Sequence, residues 1–330
     1  MSGDAHAPVG GVSSLVSGAS LPVHQRFLAL DRTVRGRAPG APALRELANA
    51  TATTRGREVV VGLALGSGVF GAGSLRPRQL REMPAFAGDV LDVSVSHGDV
   101  LVELGGRTAA AVEAAAGQLV ASLPSWRARW WIDGFRAENR VEGGRGLARN
   151  PFHFTEGFGN PATEREIANR ALVRADQGEP DWAVGGSYQV VRNIRFAIEL
   201  WDRDSVEDQE KIIGRRRDGR WLDGTPVGED PNFATDPQGK LTPLDSHVRL
   251  AAPDRRNPPP IVRRGYSYDR GNGDKGLIFS CFQRDLTKGF EAVQKRLEGE
   301  AMAKYLLTTG GGYFFAPPPG DDWIDRAFHQ

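Results

Sequence analysis

Apolar and polar positions alternate along residues 26–34 (RFLALDRTV), the spacing of a strand with one buried face. Residues 43–52 (ALRELANATA) follow as a short helix, and 58–65 (EVVVGLAL) as a strand rich in β-branched residues. Further strands are read over 90–96 (VLDVSVS) and 99–104 (DVLVEL), turning at His97-Gly98. The alanine-rich stretch 109–123 predicts a helix, and 126–135 (WRARWWIDGF) a strand. With the first strand set aside, the remaining order is close to the split βαβ pattern of a ferredoxin-like unit. The second half repeats the idea. Residues 186–198 form a long strand, 205–214 a helix with Ser205 as N-cap, 276–282 a strand, and 286–297 a helix. Between 215 and 264 the chain is proline-rich and aperiodic, which inside a domain marks a wrapping over a functional site.

The expected architecture is therefore α+β: two ferredoxin-like domains, antiparallel sheets with peripheral helices. Residues 1–22 are Gly/Ser/Ala/Pro-rich and read as a flexible N-terminal segment. The N-terminal domain is placed at 23–145 and the C-terminal one at 146–330, the interruption falling near 140–150.

Composition narrows the function. With 42 basic and 41 acidic residues the net charge is +1, which gives no field for nucleic acid or an anionic membrane. The basic run Arg215-Arg216-Arg217 is read as a solvated loop. One cysteine, Cys281 in an apolar run, excludes an internal disulfide and a cysteine-based metal cluster. No apolar stretch is long enough to span a bilayer, and the start shows no basic-then-apolar signal, so a cytoplasmic location is expected for the chain as given; export through a twin-arginine signal is the alternative for a trimmed chain. Gly66-Ser67-Gly68-Val69-Phe70-Gly71 matches a dinucleotide-binding fingerprint, but Gly73, Pro77 and Pro84 follow where a helix is required. A strand-to-loop turn is the better reading.

Nine short segments carry a stronger signal. In order they are Ser94–Asp99 (SVSHGD), 154–161 (FTEGFGNP), 185–192 (GGSYQVVR), 201–203 (WDR), 213–215 (IGR), 245–250 (DSHVRL), 262–266 (VRRGY), 282–285 (FQRD) and 310–315 (GGGYFF). Each alone is weak. Together, and in this order, they resemble the dye-decolourising peroxidase family, most nearly its bacterial A-type branch, which includes the deferrochelatase/peroxidases. The likeness runs from about Val59 to Gly320. It implies two ferredoxin-like domains with haem b in the C-terminal one.

The resemblance assigns roles residue by residue. His247, in the D-S-H-x-R-L setting, is implied as the proximal haem-iron ligand. A ligating imidazole needs an acceptor for its other ring N–H; Asp285 is read either as that acceptor or as the cap of the helix that follows it. His153, close to Glu156, is placed near the pocket, and His97 in a turn. Arg263 is implied as the distal arginine that stabilises charge separation in peroxide, with Arg264 facing a surface ion pair. Arg249 is implied to meet a haem propionate, against a plain surface role. Gly157, Phe158 and Gly159 are implied at the haem edge, and Phe279 and Phe282 as pocket walls or simple core. Glu156 departs from the pattern. The family motif G-x-x-D-G reads His153-Phe154-Thr155-Glu156-Gly157 here, so the acid/base aspartate becomes a glutamate with one more methylene.

The resemblance thus implies a haem peroxidase that reduces hydrogen peroxide and oxidises an organic donor, dye-like or phenolic, and that forms a homodimer or larger assembly as many members do. Glu156 opens two alternatives: a specialised biosynthetic haem oxidase acting on one small metabolite, and a haem-binding, iron-releasing protein with weak peroxidase activity.

Overall fold

In the computed structural model, which describes Val16 and residues 20–34, 40–55 and 58–328, the first apolar run becomes β1 (His24–Arg32). A helix (Ala41–Thr54), β2 (Val59–Leu65), β3 (Val100–Gly106), a helix (Ala109–Ala121) and β4 (Trp126–Phe135) follow. The strand order β4-β1-β3-β2 is antiparallel throughout, the βαββαβ arrangement of a ferredoxin-like unit. The alternating run 90–96 is not a strand. Asp92 takes the N–H of Ser94 at 2.7 Å, and the Arg129 guanidinium takes the carbonyls of Val93 and Ser96 at 2.9 Å each. These side chains, with the carbonyls of Thr308 and Thr309 that accept from Val90 and Asp92, satisfy this backbone, leaving only a 3-10 turn at Val93–Val95 with Val93 exposed. The first strand, set aside by the pattern reading, is the one the unit requires.

A small sheet follows: β5 (Ala137–Glu142), β6 (Arg145–Arg149) and the two-residue β7 (Thr155–Glu156). The second half contributes β8 (Ser187–Phe196), β9 (Val262–Arg263), β10 (Tyr266–Asp269), β11 (Lys275–Gln283) and β12 (Leu306–Ala316). Ser205 caps the helix Val206–Ile213 through the Asp208 N–H at 3.1 Å, as its sequence signature predicts. The helix expected over 286–297 is broken. Residues Thr287–Glu291 form a π-turn with a kink at Gly289, and only Ala292–Arg296 is α-helical. Residues 66–71 make a strand-to-loop turn with one 3-10 turn and no helix.

The two halves share one large sheet. β2 meets β12 at Leu65↔Phe315, and β4 meets β10 at Phe135↔Ser267. Because β10 also pairs with β11, eight strands form a closed ring, with β9 attached outside β11. Its interior is apolar: Phe27, Leu101, Trp130, Val191, Ile278, Phe282 and Phe314 pack together. One polar cluster sits inside, where Gln25 and Gln189 both donate to Glu103. Alternate residues of β8, β11 and β12 point the other way, and this outer face floors the cavity described next.

Candidate active site

A cavity of about 310 Å³ lies over that outer face. Its floor is Arg192, Ile194 and Phe196 of β8, Leu277 and Phe279 of β11, and Leu306 and Thr308 of β12. The parity of β11 decides between two expected wall residues: Phe279 lines the cavity, whereas Phe282 is fully buried inside the strand ring and does not reach it.

One wall carries His247, the first residue of the short helix His247–Ala251. Its Nδ1 lies 2.8 Å from Oε2 of Glu300, a buried carboxylate in the loop before β12. The ring is thus clamped through one nitrogen, and Nε2 is left for the cavity. The acceptor is Glu300 and not Asp285. Asp285 instead accepts the N–H of Lys288 at 2.9 Å, so it caps the turn behind it.

The opposing wall carries Glu156 and Arg263. Glu156 ends the β6–β7 hairpin, with Gly157, Phe158, Gly159 and Asn160 following along the cavity. Gly157 has φ +108°, and a Cβ there would stand 2.4 Å from the Gly146 carbonyl, so only glycine fits. At Gly159 a Cβ would meet Nη2 of Arg263 at 2.6 Å, so the missing side chain is the space the guanidinium occupies. Asn160 clamps the Arg263 backbone from both sides, accepting its N–H at 2.9 Å and donating to its carbonyl at 2.8 Å. Phe158 packs on Gly219, with the Arg215 guanidinium 5.7 Å from its ring centre.

Electrostatics here are lopsided. Arg192 is paired with Asp89 at 2.6 Å, and Arg255 with Asp230 at 2.5 Å. Arg136 spends its donors on the carbonyls of Gly265 and Gly146 and on Asn139. Among the described residues the Arg215 and Arg263 side chains make no hydrogen bond or ion pair, and Nε of Arg215 is buried without a partner. Among the described residues, Glu156 is the carboxylate that faces these two cations. Burial raises its pKa above the ordinary value, against the pull of Arg136, Arg263 and Arg215. Burial lowers the pKa of Arg263, and burial pushes that of Arg215 down to about 10, with the like charge of Arg263 next. Such a site calls for an anion.

Three expectations are corrected. Arg249 does not reach the cavity: its guanidinium binds the carbonyls of Thr242, Phe233 and Asp236 at 2.7, 3.2 and 2.6 Å and the Asp236 carboxylate, tying down the proline-rich loop. Arg264 is buried rather than at the surface, and donates to the Val16 carbonyl. His153 turns outward, half exposed, with Nε2 3.4 Å from Asp202. Conversely, the basic run read as solvated contributes Arg215 to the cavity. Its membership of the Ile213-Gly214-Arg215 segment was the available signal. Glu300 and Arg136 had none.

Comparison with known proteins agrees with this picture. Residues 19–136 match the family described as Dyp-type peroxidase, N-terminal, and 147–321 the one described as Dyp-type peroxidase, C-terminal. A deferrochelatase of Yersinia pestis is 39% identical over 266 residues, covering 75% of this chain and 60% of its own. That of Escherichia coli K12 is 39% identical over 262 residues, covering 74% and 61%. The chain thus spans about three-fifths of the length of these curated relatives. Among solved structures, a DyP-type peroxidase from Streptomyces coelicolor superposes with a TM-score of 0.81 at 27% identity, covering 95% of this chain and 94% of its own. Ferric DtpA from Streptomyces lividans gives 0.78 at 29%, covering 92% and 90%.

Proposed function

The chain belongs to the Dyp-type peroxidase family, and we propose that it is a haem b peroxidase that reduces hydrogen peroxide and oxidises an organic donor. The observation that carries this reading is the pairing of a clamped imidazole, His247 on Glu300, with a cation and a carboxylate, Arg263 and Glu156, on the other wall of the same cavity. The residues fit the group. Haem b brings two propionates, and Arg136, Arg215 and Arg263 exceed Glu156 by two charges; Arg215, with its unpartnered Nε, suits one of them. Glycines at 157 and 159 let the backbone come close to a flat ring. His247 would hold the iron through Nε2, and Gly157, Phe158 and Gly159 would line the haem edge.

Bound there, haem would supply the iron at which the O–O bond is broken. The chain's own residues supply the rest. Glu300 keeps the imidazole in one tautomer and raises its basicity. Glu156, deprotonated, takes the proton from the inner oxygen of peroxide and returns it to the outer one, which leaves as water. Arg263 stabilises the negative charge that develops on the outer oxygen meanwhile. The ordered backbone of Arg263, fixed by Asn160, keeps that cation in place beforehand.

A second reading, release of iron from haem, is favoured by the name deferrochelatase borne by the curated relatives. Stopped-flow absorption separates the two. The haem-loaded protein, mixed with hydrogen peroxide, should lose and shift its Soret band within the mixing-limited phase, and His247→Ala should not. A normal Soret band that ignores peroxide sinks the peroxidase reading. Slow growth of metal-free porphyrin fluorescence in its place would favour iron release.

A further inference from the structure

With haem in the main cavity, an organic donor must be met beside it, and a second cavity adjoins the first. It measures about 380 Å³ and is walled by Pro231, Phe233, Pro237 and Pro253 of the proline-rich loop. The prolines fix their own backbone. Arg249 fixes more of the loop by binding the carbonyls of Phe233, Asp236 and Thr242. The cavity is thus built in advance of any ligand.

The wall between the two cavities is one layer thick. Ala252 lines the main cavity, Pro253 and Asp254 the outer one, and Arg255 both. Beside them Trp221, on the main cavity, meets Phe233, on the outer one, edge to face with ring centres 6.4 Å apart. The Arg255 guanidinium lies 5.2 Å from the Trp221 ring centre. Its Nη1 stands 3.5 Å from the Cβ position at Gly159, the same position that Nη2 of Arg263 approaches from within the main cavity. A ligand in the outer cavity therefore touches side chains that themselves border the haem site.

Charge decides what fits there. Three guanidiniums line the outer cavity, and each has its own carboxylate: Arg249 with Asp236 at 3.3 Å, Arg255 with Asp230 at 2.5 Å, and Arg256 with Asp254 at 3.2 Å. The main cavity, with Arg215 and Arg263, is built the opposite way. In the outer one an anion would meet no uncompensated cation, and would lose hydration against proline and phenylalanine. A neutral aromatic ring gains from the same walls. Asn232 and Asp254, both exposed, supply polar groups at the mouth.

We propose that the outer cavity is a donor site for small neutral phenols. The proposal rests on the peroxidase reading and says where its organic donor stands. The ring lies on Phe233 and the prolines, with its hydroxyl at the mouth. One electron crosses the Phe233–Trp221 layer and reduces the haem centre that peroxide has oxidised. The phenol O–H bond breaks, its proton passes to the Asp254 carboxylate and on to water, and a phenoxyl radical leaves. A second phenol repeats the step, matching the two electrons that peroxide takes.

Guaiacol is the probe, and para-phenolsulfonate its charged counterpart. The ferric, haem-loaded protein should broaden the proton NMR lines of guaiacol through the unpaired electrons of the iron, and para-phenolsulfonate should not compete. Ala234 lines the outer cavity and not the main one, so Ala234→Trp fills the first and spares the second. It should abolish the broadening, raise KM for guaiacol about tenfold or more, and leave the Soret response to peroxide unchanged. Pro237→Trp, from another part of the wall, repeats the test should Ala234→Trp not fold. No binding of guaiacol, or broadening and KM that survive both substitutions, would overturn the outer site. Competition by para-phenolsulfonate as strong as that of guaiacol itself would overturn the preference for neutral rings. Guaiacol bound in the outer cavity of a protein inert to peroxide would remove the peroxidase reading, and with it the donor role, and leave the cavity a phenol site alone.

Discussion

His247 and Glu300 lie 53 residues apart in the chain and 2.8 Å apart in the fold. A carboxylate behind a ligating imidazole fixes its ring and strengthens its donation, and losing such a partner costs about 10- to 100-fold in affinity for the metal group. Glu300→Gln should therefore bind haem about 10- to 100-fold more weakly, measured by competition with apomyoglobin, while His247→Ala should abolish the axial bond altogether. If Glu300→Gln binds haem as the wild type does, the clamp has no energetic role. At this scale the sequence was legible where a residue's own neighbours carry its signal. His247 and Arg263 stand in short motifs, and the cavity receives both. It was illegible where the partner is distant or where direction decides. Nothing in the neighbourhood of Glu300 points to His247. Phe282 and Phe279 are three residues apart in one apolar run, and only the register of β11 against β8 shows which face each takes. Arg249 sits two residues from His247, yet its two Nη atoms are taken by three loop carbonyls and the Asp236 carboxylate.

Elements hold the site by their ends. The β6–β7 hairpin delivers Glu156, and the chain then turns at Gly157 in a conformation that L side chains rarely adopt. Gly157→Ala would add backbone strain of about 1–3 kcal/mol and a clash with the Gly146 carbonyl. It should lower the melting temperature of the apoprotein and also slow the peroxide reaction of whatever folds, since the same residue aims the carboxylate. A variant with normal melting and normal rate would show that the turn tolerates a side chain after all. Strands and helices with strong periodicity were legible in the sequence, and the helix capped by Ser205 was found at its cap. Two failures share one cause. The run 90–96 alternates like a strand, and 286–297 repeats like a helix, but in each a local polar or glycine feature redirects the backbone. Asp92 and Arg129 claim the first. Gly289 breaks the second into a π-turn that turns Phe290 onto the cavity, where it packs near Phe279 and Arg192.

At the scale of the molecule, the closed ring places Glu103 of β3 between Gln25 of β1 and Gln189 of β8, one partner from each half. Burial pushes the carboxyl of Glu103 up to about 7, against the smaller pull of the hydrogen bonds from Gln189 and Gln25. The rise from 4.5 to about 7 corresponds to about 3 kcal/mol at about 1.4 kcal/mol per pH unit. Because the folded state holds its proton more tightly than the unfolded one, this contribution is fully present below pH 4.5 and is lost as pH rises through about 7. Glu103→Gln should therefore gain on the wild type by about 2–3 kcal/mol between pH 5 and pH 8 in urea unfolding, whatever its offset at pH 5. Parallel stability profiles would show that Glu103 titrates normally. The N-terminal βαββαβ unit was largely legible in the pattern of elements, whereas in the second half β8 and β11 were read and β10 and β12 were not. The fusion of the two halves into one ring was not legible, because a single register pair at each seam, Leu65↔Phe315 and Phe135↔Ser267, leaves no periodic trace.

The position of β12 in that ring has a consequence for how the protein is made. It lies between β2 and β8, so it completes both the seam and the cavity floor, yet among the described strands it comes last in chain order. Until residue 316 has emerged, the β8 edge that Leu306–Ala316 will cover stays open, and Leu306 and Thr308 are missing from the floor. Glu300, which orients His247, arrives only a few residues earlier. A nascent chain therefore leaves the β8 edge uncovered from the making of Phe196 until Ala316 follows, and an open strand edge is a template for wrong pairing. The cavity wall and floor are likewise incomplete until Glu300, Leu306 and Thr308 have been made, so a flat prosthetic group would meet a finished cavity only after them.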